Sequence, residues 1–239
     1  MRIDKGVTQS LLGILFLIFG QLSSLSAAGS TVNTTFYSES LGENRAIKIY
    51  LPEGYTADDT STQYSMIVFL HGGYVNQNSY PMFIDGLDNL IWTSSTDIPS
   101  GYIAPVIAVM PNGNASLFGG LTWWSNSTVN GNFEDYIVRD LVNYMDANYN
   151  TFDQSHNRAI LGHSMGGYGA MAIALRHPDI FKAVSTLGGV LDLDVTLTGI
   201  TPWILSENGG AGPFSPTAGT WTQILFNLSA AFTPTPDQT

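Results

Sequence analysis

The run Gly162-His163-Ser164-Met165-Gly166-Gly167 holds a serine with a glycine two residues to either side, the pattern Gly-x-Ser-x-Gly. It follows a stretch that reads as a strand, residues 158–162, and precedes one that reads as a helix through Met171, Ile173 and Leu175, stopping at Pro178. A strand-to-helix turn this tight forces strained backbone angles on the central serine, and side chains at the two glycine positions would clash. Such a turn pushes the Ser164 hydroxyl out at the carboxyl end of a sheet. There the next helix aims its first N–H groups and positive dipole end at any oxyanion formed beside it. The chemistry these features serve is nucleophilic attack on a carbonyl through an acyl intermediate.

A second run, His71-Gly72-Gly73-Tyr74, follows the apolar strand that ends at Leu70, and its glycines let backbone N–H groups approach a substrate closely. The main-chain N–H groups of Gly73 and Met165 are the expected oxyanion donors, with Tyr74 nearby. Tyr74, Trp123 and Trp124 could line an acyl or aryl pocket or stack on a sugar, and the two tryptophans fit a core equally well.

A serine hydroxyl needs a general base, and after a turn of this kind the partners follow in the order serine, acid, histidine. The chain has four histidines, at 71, 156, 163 and 177. Only His177 lies beyond Ser164, at the far end of the following helix, about 20 Å away at 1.5 Å per residue. A cation there suits a helix C-terminus, so His177 reads as structural. His71 reads as a structural hydrogen-bonder, His163 occupies a variable position of the turn, and His156 lies in a turn before its strand. The acids after the serine are Asp192, Asp194, Glu207 and Asp237, all in what read as loops or weak strands. There is no His-Glu-x-x-His run or paired histidine spacing for a metal site.

Around these residues the elements alternate. Strands at 35–41 and 45–51, separated by Gly42-Glu43-Asn44, make an antiparallel start. Residues 66–70 and 106–110 are continuous apolar runs, as expected of parallel strands covered on both faces. Met82, Phe83, Leu87, Leu90 and Ile91 share one helical face. Phe133, Tyr136, Ile137, Leu141, Tyr144 and Met145 share another, behind Asn132 as N-cap. A strand near 181–187 completes a second repeat of the unit. Thr220 and Gln223 form a capping box for a last helix through Phe232. This is the rhythm of a doubly wound, mostly parallel α/β sheet with an antiparallel N-terminal hairpin.

Composition narrows the partners. The chain has 239 residues, 8 Lys and Arg against 19 Asp and Glu, a formal net charge of -11, and no Cys. That charge repels phosphate backbones and excludes nucleic acid; the lack of Cys removes disulfides, thiol nucleophiles and thiolate metal sites. Arg2 and Lys5 precede an apolar run from Leu11 to Phe19, and Ser26-Ala27-Ala28 is a small-residue cleavage pattern. Residues 1–28 therefore read as a signal peptide and 29–239 as one domain, secreted or periplasmic, with no stable membrane anchor after cleavage. The sequons beginning at Asn33, Asn114, Asn126 and Asn227 are short patterns that arise by chance in such a chain.

From about Thr35 to the C-terminus the chain resembles the secreted branch of the esterase D family, which also takes in feruloyl esterases, formylglutathione hydrolases and mycolyltransferases. The matching landmarks are Ile49-Tyr50-Leu51-Pro52-Glu53-Gly54-Tyr55, His71-Gly72-Gly73, Phe133-Glu134-Asp135-Tyr136 and Gly162-His163-Ser164-Met165-Gly166-Gly167-Tyr168-Gly169-Ala170. The resemblance implies an α/β-hydrolase fold. It implies hydrolysis or transfer of an acyl group from an ester or thioester by a Ser-His-Asp triad, with no metal and no cofactor. The family sheet would continue with two more strand and helix pairs, whereas 50 residues follow Gly189 and resemble the family's insertion. The expectation is thus a secreted serine carboxylesterase acting through an acyl-enzyme on Ser164, with small-molecule or polysaccharide-linked esters as substrates. It is expected to be a C-terminally truncated fragment, its last strands and the triad Asp and His missing. The alternatives are an inactive glycan or cell-wall binding protein and an acyltransferase of the same fold.

Overall fold

The computed structural model describes residues 28–91, 98, 101–116 and 120–233. Its sheet is built from β1 (Ser30–Ser38), β2 (Glu43–Leu51), β3 (Ser65–Leu70), β4 (Val106–Pro111), β7 (Arg158–His163) and β8 (Ala183–Leu187), in the order β1-β2-β4-β3-β7-β8. β1, β2 and β4 pair antiparallel, and β4, β3, β7 and β8 pair parallel. A two-stranded ribbon, β5 (Asn126–Ser127) with β6 (Gly131–Asn132), stands apart. The helices are α1 (Pro81–Leu90), α2 (residues 133–148, its middle Tyr136–Leu141 wound as π-helix), α3 (Met165–Arg176), α4 (Leu193–Glu207) and α5 (Thr220–Phe232).

The alternation of side chains along each strand sorts the core onto two faces. Ile47, Ile49, Val68, Leu70, Ile107, Val109 and Ile160 meet Phe133, Tyr136, Ile137, Leu141 and Met145 of α2 and Ala170 and Ile173 of α3. On the other face Tyr50, Phe69, Val106, Ala108 and Met110 meet Leu87 and Ile91 from α1 and its end. Every residue of β4 is buried, as its unbroken apolar run requires. β8 differs: it is an edge strand, and four of its five residues are exposed.

The structure corrects several sequence expectations. The first strand ends at Ser38, and the turn lies at 39–42, where Gly42 takes φ 68° and its N–H bonds the Ser38 carbonyl at 2.8 Å. The Asp140 carboxylate of α2 pins that turn by accepting from Ser38 Oγ (2.6 Å) and the Ser40 N–H (2.7 Å). On the expected α1 face, Met82 and Leu90 are exposed. Asn132 stands at the N-cap of α2 but makes no side-chain cap bond; Asn126 Oδ1 accepts from the N–H groups of Glu134 (3.0 Å) and Asp135 (3.1 Å). Residues 193–207, read as loop or weak strand, are helix α4. Thr220 is the first residue of α5 and caps nothing; Gly219 holds the cap position. The signal-peptide residues 1–27, and Asp237, lie outside the described residues. Among the described residues no helix is long and apolar enough to cross a membrane.

Candidate active site

β7 ends at His163 and α3 begins at Met165, so Ser164 alone makes the turn between them. Its backbone sits at φ 54° and ψ -118°, a conformation that costs on the order of 1–3 kcal/mol and persists only when its surroundings impose it. Here the Ser164 N–H bonds the Leu187 carbonyl of β8 at 2.9 Å, and the Ser164 carbonyl accepts from the Tyr168 N–H at 3.1 Å. The flanking glycines are steric necessities. A Cβ on Gly162 would overlap the Gly166 carbonyl, and one on Gly166 would overlap the carbonyls of Leu70 and His71.

Ser164 opens on a cavity of about 280 Å³. Gly73 and Tyr74 from the loop after β3 line it with Met165, Leu121, Trp123 and Val190; α4 adds Thr196 and Ile200, and α5 adds Trp221 and Ile224. Both residues expected to supply oxyanion donors therefore line the same space as the serine. Met165 is the first residue of α3, where a backbone N–H has no acceptor within its own helix. Gly73 packs so closely on Leu121 that a Cβ there would overlap that side chain.

Among the described residues, the non-glycines at positive φ are Tyr74, Trp123, Trp124 and Ser164. Three of them line the cavity, so backbone strain is concentrated around it. Tyr74 is half exposed, and its hydroxyl is pushed up, first by burial and then by the negative charge of Glu207. Trp123 is buried, edge-on to Tyr168 at 5.8 Å. Trp124 is a correction: it is 1% exposed and lies behind the site as core, its indole N–H bonding the His71 carbonyl at 3.1 Å.

Each histidine has a place, and three bond partners away from Ser164. His71 is 1% exposed; its Nδ1 meets the Gly72 carbonyl at 2.7 Å and its Nε2 lies 2.9 Å from the Gly113 N–H. Burial depresses it to about 4, so the ring is neutral, with Nδ1 donating and Nε2 accepting. That arrangement ties the Gly72-Gly73 loop to the end of β4. His163 turns toward Tyr80, its Nδ1 3.0 Å from the hydroxyl, which also accepts from the Gly72 N–H at 3.1 Å. His177 bonds Glu134 at 2.8 Å at the end of α3, beside the Arg176–Glu134 pair at 2.6 Å. His156 lies in the single turn before β7, a strand's length from Ser164.

Two of the acids, Asp192 and Glu207, are likewise occupied. Asp192 caps α4 by accepting from the Val195 N–H at 2.9 Å, and Asp194 stands in that helix's first turn. Glu207 crosses to α5, accepting from the N–H groups of Trp221 (3.1 Å) and Thr222 (2.8 Å) and from the Thr222 hydroxyl (2.7 Å). Sequence reasoning missed the cavity walls supplied by Thr196, Ile200, Trp221 and Ile224. The signal was present for α4, since Leu193, Leu197, Ile200 and Ile204 fall at helical spacing; Thr, Gly and Pro between them masked it.

Comparison with known proteins gives the same family. The family model described as "Putative esterase" matches residues 38–233. The endo-1,4-beta-xylanase/feruloyl esterase of Xylanibacter ruminicola is 32% identical over 165 residues, 67% of this chain and 22% of that protein. The S-formylglutathione hydrolase of Arabidopsis thaliana is 27% identical, covering 70% of this chain and 62% of its own length. The chain thus spans less than two thirds of either relative. A solved ferulic acid esterase superposes with a TM-score of 0.60 at 24% identity, over 70% of this chain and 61% of that one, which marks the α/β-hydrolase fold.

Proposed function

Because this chain belongs to the esterase family, we propose that Ser164 is the nucleophile of a serine carboxylesterase. The observation that carries the reading is the coincidence, in one cavity, of the strained Ser164, the Met165 N–H at the head of α3 and the Gly73 loop. In the proposed reaction Ser164 Oγ attacks the ester carbonyl while its proton passes to a base. The carbonyl oxygen becomes an oxyanion between the Gly73 and Met165 N–H groups, and the alcohol leaves with a proton. Water then releases the acid from the acyl-enzyme and restores the serine. Tyr74 and Trp123 contact the acyl group, together with Ile200, Trp221 and Ile224. Small-molecule or polysaccharide-linked esters fit this reading, as does export by the segment 1–28.

The test is covalent labelling of the purified chain with a fluorophosphonate, alongside hydrolysis of a short-chain nitrophenyl ester. Labelling on Ser164, lost in Ser164→Ala, is the expected result; a folded chain that reacts nowhere, or equally well without Ser164, overturns the proposal. Because His71, His163 and His177 serve other partners and His156 lies a strand's length away, turnover by this chain is expected about 10³-fold or more below that of a complete triad. Turnover near 10 s⁻¹, an ordinary enzyme rate, would show that a base acts on Ser164 in this chain.

A further inference from the structure

The charges of the molecule are distributed unevenly about this cavity. After Lys182 the sequence contains no Lys or Arg, yet that stretch supplies both helical walls. Its formal charges among the described residues are the carboxylates of Asp192, Asp194 and Glu207. Asp192 is tied to the cavity wall, since the Thr196 hydroxyl donates to its carbonyl at 2.7 Å. Glu207 holds the N-terminus of α5 one residue from Trp221, and its field reaches the Tyr74 hydroxyl.

The cations are elsewhere. Arg45 is buried against Glu43 and the carbonyls of Asn112 and Asn114. Lys48 lies on β2, three strands from β7 and so about 14 Å across the sheet. Arg139 pairs with Asp135 and Asp140, and Arg158 with Asp146 at the opposite end of β7. Lys182 precedes β8 beside Arg158, and Arg176 closes α3 on Glu134. Arg2 and Lys5 lie outside the described residues. The cavity lining itself is uncharged. Three helix N-termini thus meet the cavity: that of α3 carries no side-chain cap and serves the reacting carbonyl, while Asp192 and Glu207 offset those of α4 and α5, so an anion elsewhere on a substrate meets apolar walls whose positive ends are already neutralised.

We propose that this site selects its esters by charge: it takes those whose acyl and leaving groups are neutral or cationic. It rejects those that carry an anion away from the reacting carbonyl, such as thioesters of glutathione or coenzyme A. The inference rests on the cavity being the acyl site proposed above. It separates this chain's substrates from those of a thioester hydrolase built on the same fold.

The test needs no turnover. Two phenylpropanamides of equal shape, one with a para carboxamide and one with a para carboxylate, are titrated into the folded chain by calorimetry, with Ile224→Trp as the cavity-filled control. The carboxamide is expected to bind roughly tenfold more tightly at low salt, the size of effect that a few unit charges exert on an anion across a wet site. The gap should narrow in about 0.5 M salt, where the screening length falls to a few Å. Thr196→Lys, which sets an ammonium at the cavity wall, should erase or reverse it. Equal binding, or tighter binding of the carboxylate to the unaltered chain, overturns the charge selection and leaves the esterase proposal standing. Failure of both ligands to bind while the fluorophosphonate still labels Ser164 also overturns it; loss of that labelling as well would bring down the esterase reading itself.

Discussion

The imidazole of His71 stands in the loop that presents Gly73, yet its work is to be neutral. Held at about 4 by burial, against about 6.5 in an unfolded chain, it binds a proton in the unfolded state before it does so in the folded one. Stability from His71 is therefore fully present above about pH 6.5 and is lost as pH falls toward 4, by roughly 3 kcal/mol in all. NMR titration should show the His71 ring still neutral at pH 5, and the urea midpoint should fall between pH 7 and 4.5; a ring that protonates near its ordinary value would refute the assignment. Gly166→Ala makes the complementary point in backbone. Its Cβ has no room against the carbonyls of Leu70 and His71, so a loss of about 2 kcal/mol or more is expected by denaturant unfolding. Both residues were singled out in the sequence because steric demands on a tight turn are local. That Trp124 backs the site and Trp123 faces it was not legible, since adjacent residues of one type differ only in what folds over them.

At the scale of elements, the starts of α2 and α5 were read where they stand, and what was misassigned, for a shared cause, is the side chains that cap them. The caps of α2 and α5 come from Asn126 and Glu207, eight or more residues upstream, so the residues just before each helix carry no signal for them. The hairpin turn likewise moved because Asp140, from a helix a hundred residues later, fixes Ser38 and Ser40. The Glu207 cap has a measurable consequence. Burial alone would raise its carboxyl, but the bonds from Thr222 and Trp221 outweigh burial and hold it below the ordinary carboxylate range. The cap is then intact at neutral pH and opens only in acid. Glu207→Ala should free the first turn of α5, seen as faster amide exchange at Trp221 and Thr222 and weaker ligand binding in the cavity, with the far-side contacts of Ser127 and Ala230 unchanged. Unaltered exchange at those two amides would show that packing alone seats the helix.

For the whole molecule, the sheet order matters most. The parallel register that aligns Leu70 with Gly162 and Leu187 with His163 brings the ends of three strands together where Ser164 turns. The apolar runs and the Gly-rich turns made the doubly wound, mostly parallel character of the sheet readable, while the strand order itself came from the structure. At the end of that order β8 stands bare. Val184 and Leu187 are exposed on an edge with open backbone groups, a template for pairing with another chain. Sedimentation should show concentration-dependent association, suppressed by Val184→Lys; a monomer at all concentrations would mean that this edge is otherwise protected. If the segment 1–28 is a signal peptide, the exported protein begins at Gly29, whose N–H bonds Asp88 at 2.8 Å, and N-terminal sequencing would find another start if it is not.

The same chain order has a consequence for synthesis. The strands, the serine turn and the Gly73 loop are complete by Gly189, while the cavity's helical walls begin at Leu193 and end with α5. A ribosome therefore releases the serine turn before the helices that cover it. For part of its birth the nascent chain presents Ser164 uncovered, with the Gly73 loop beside it and the helical walls of the cavity still to come.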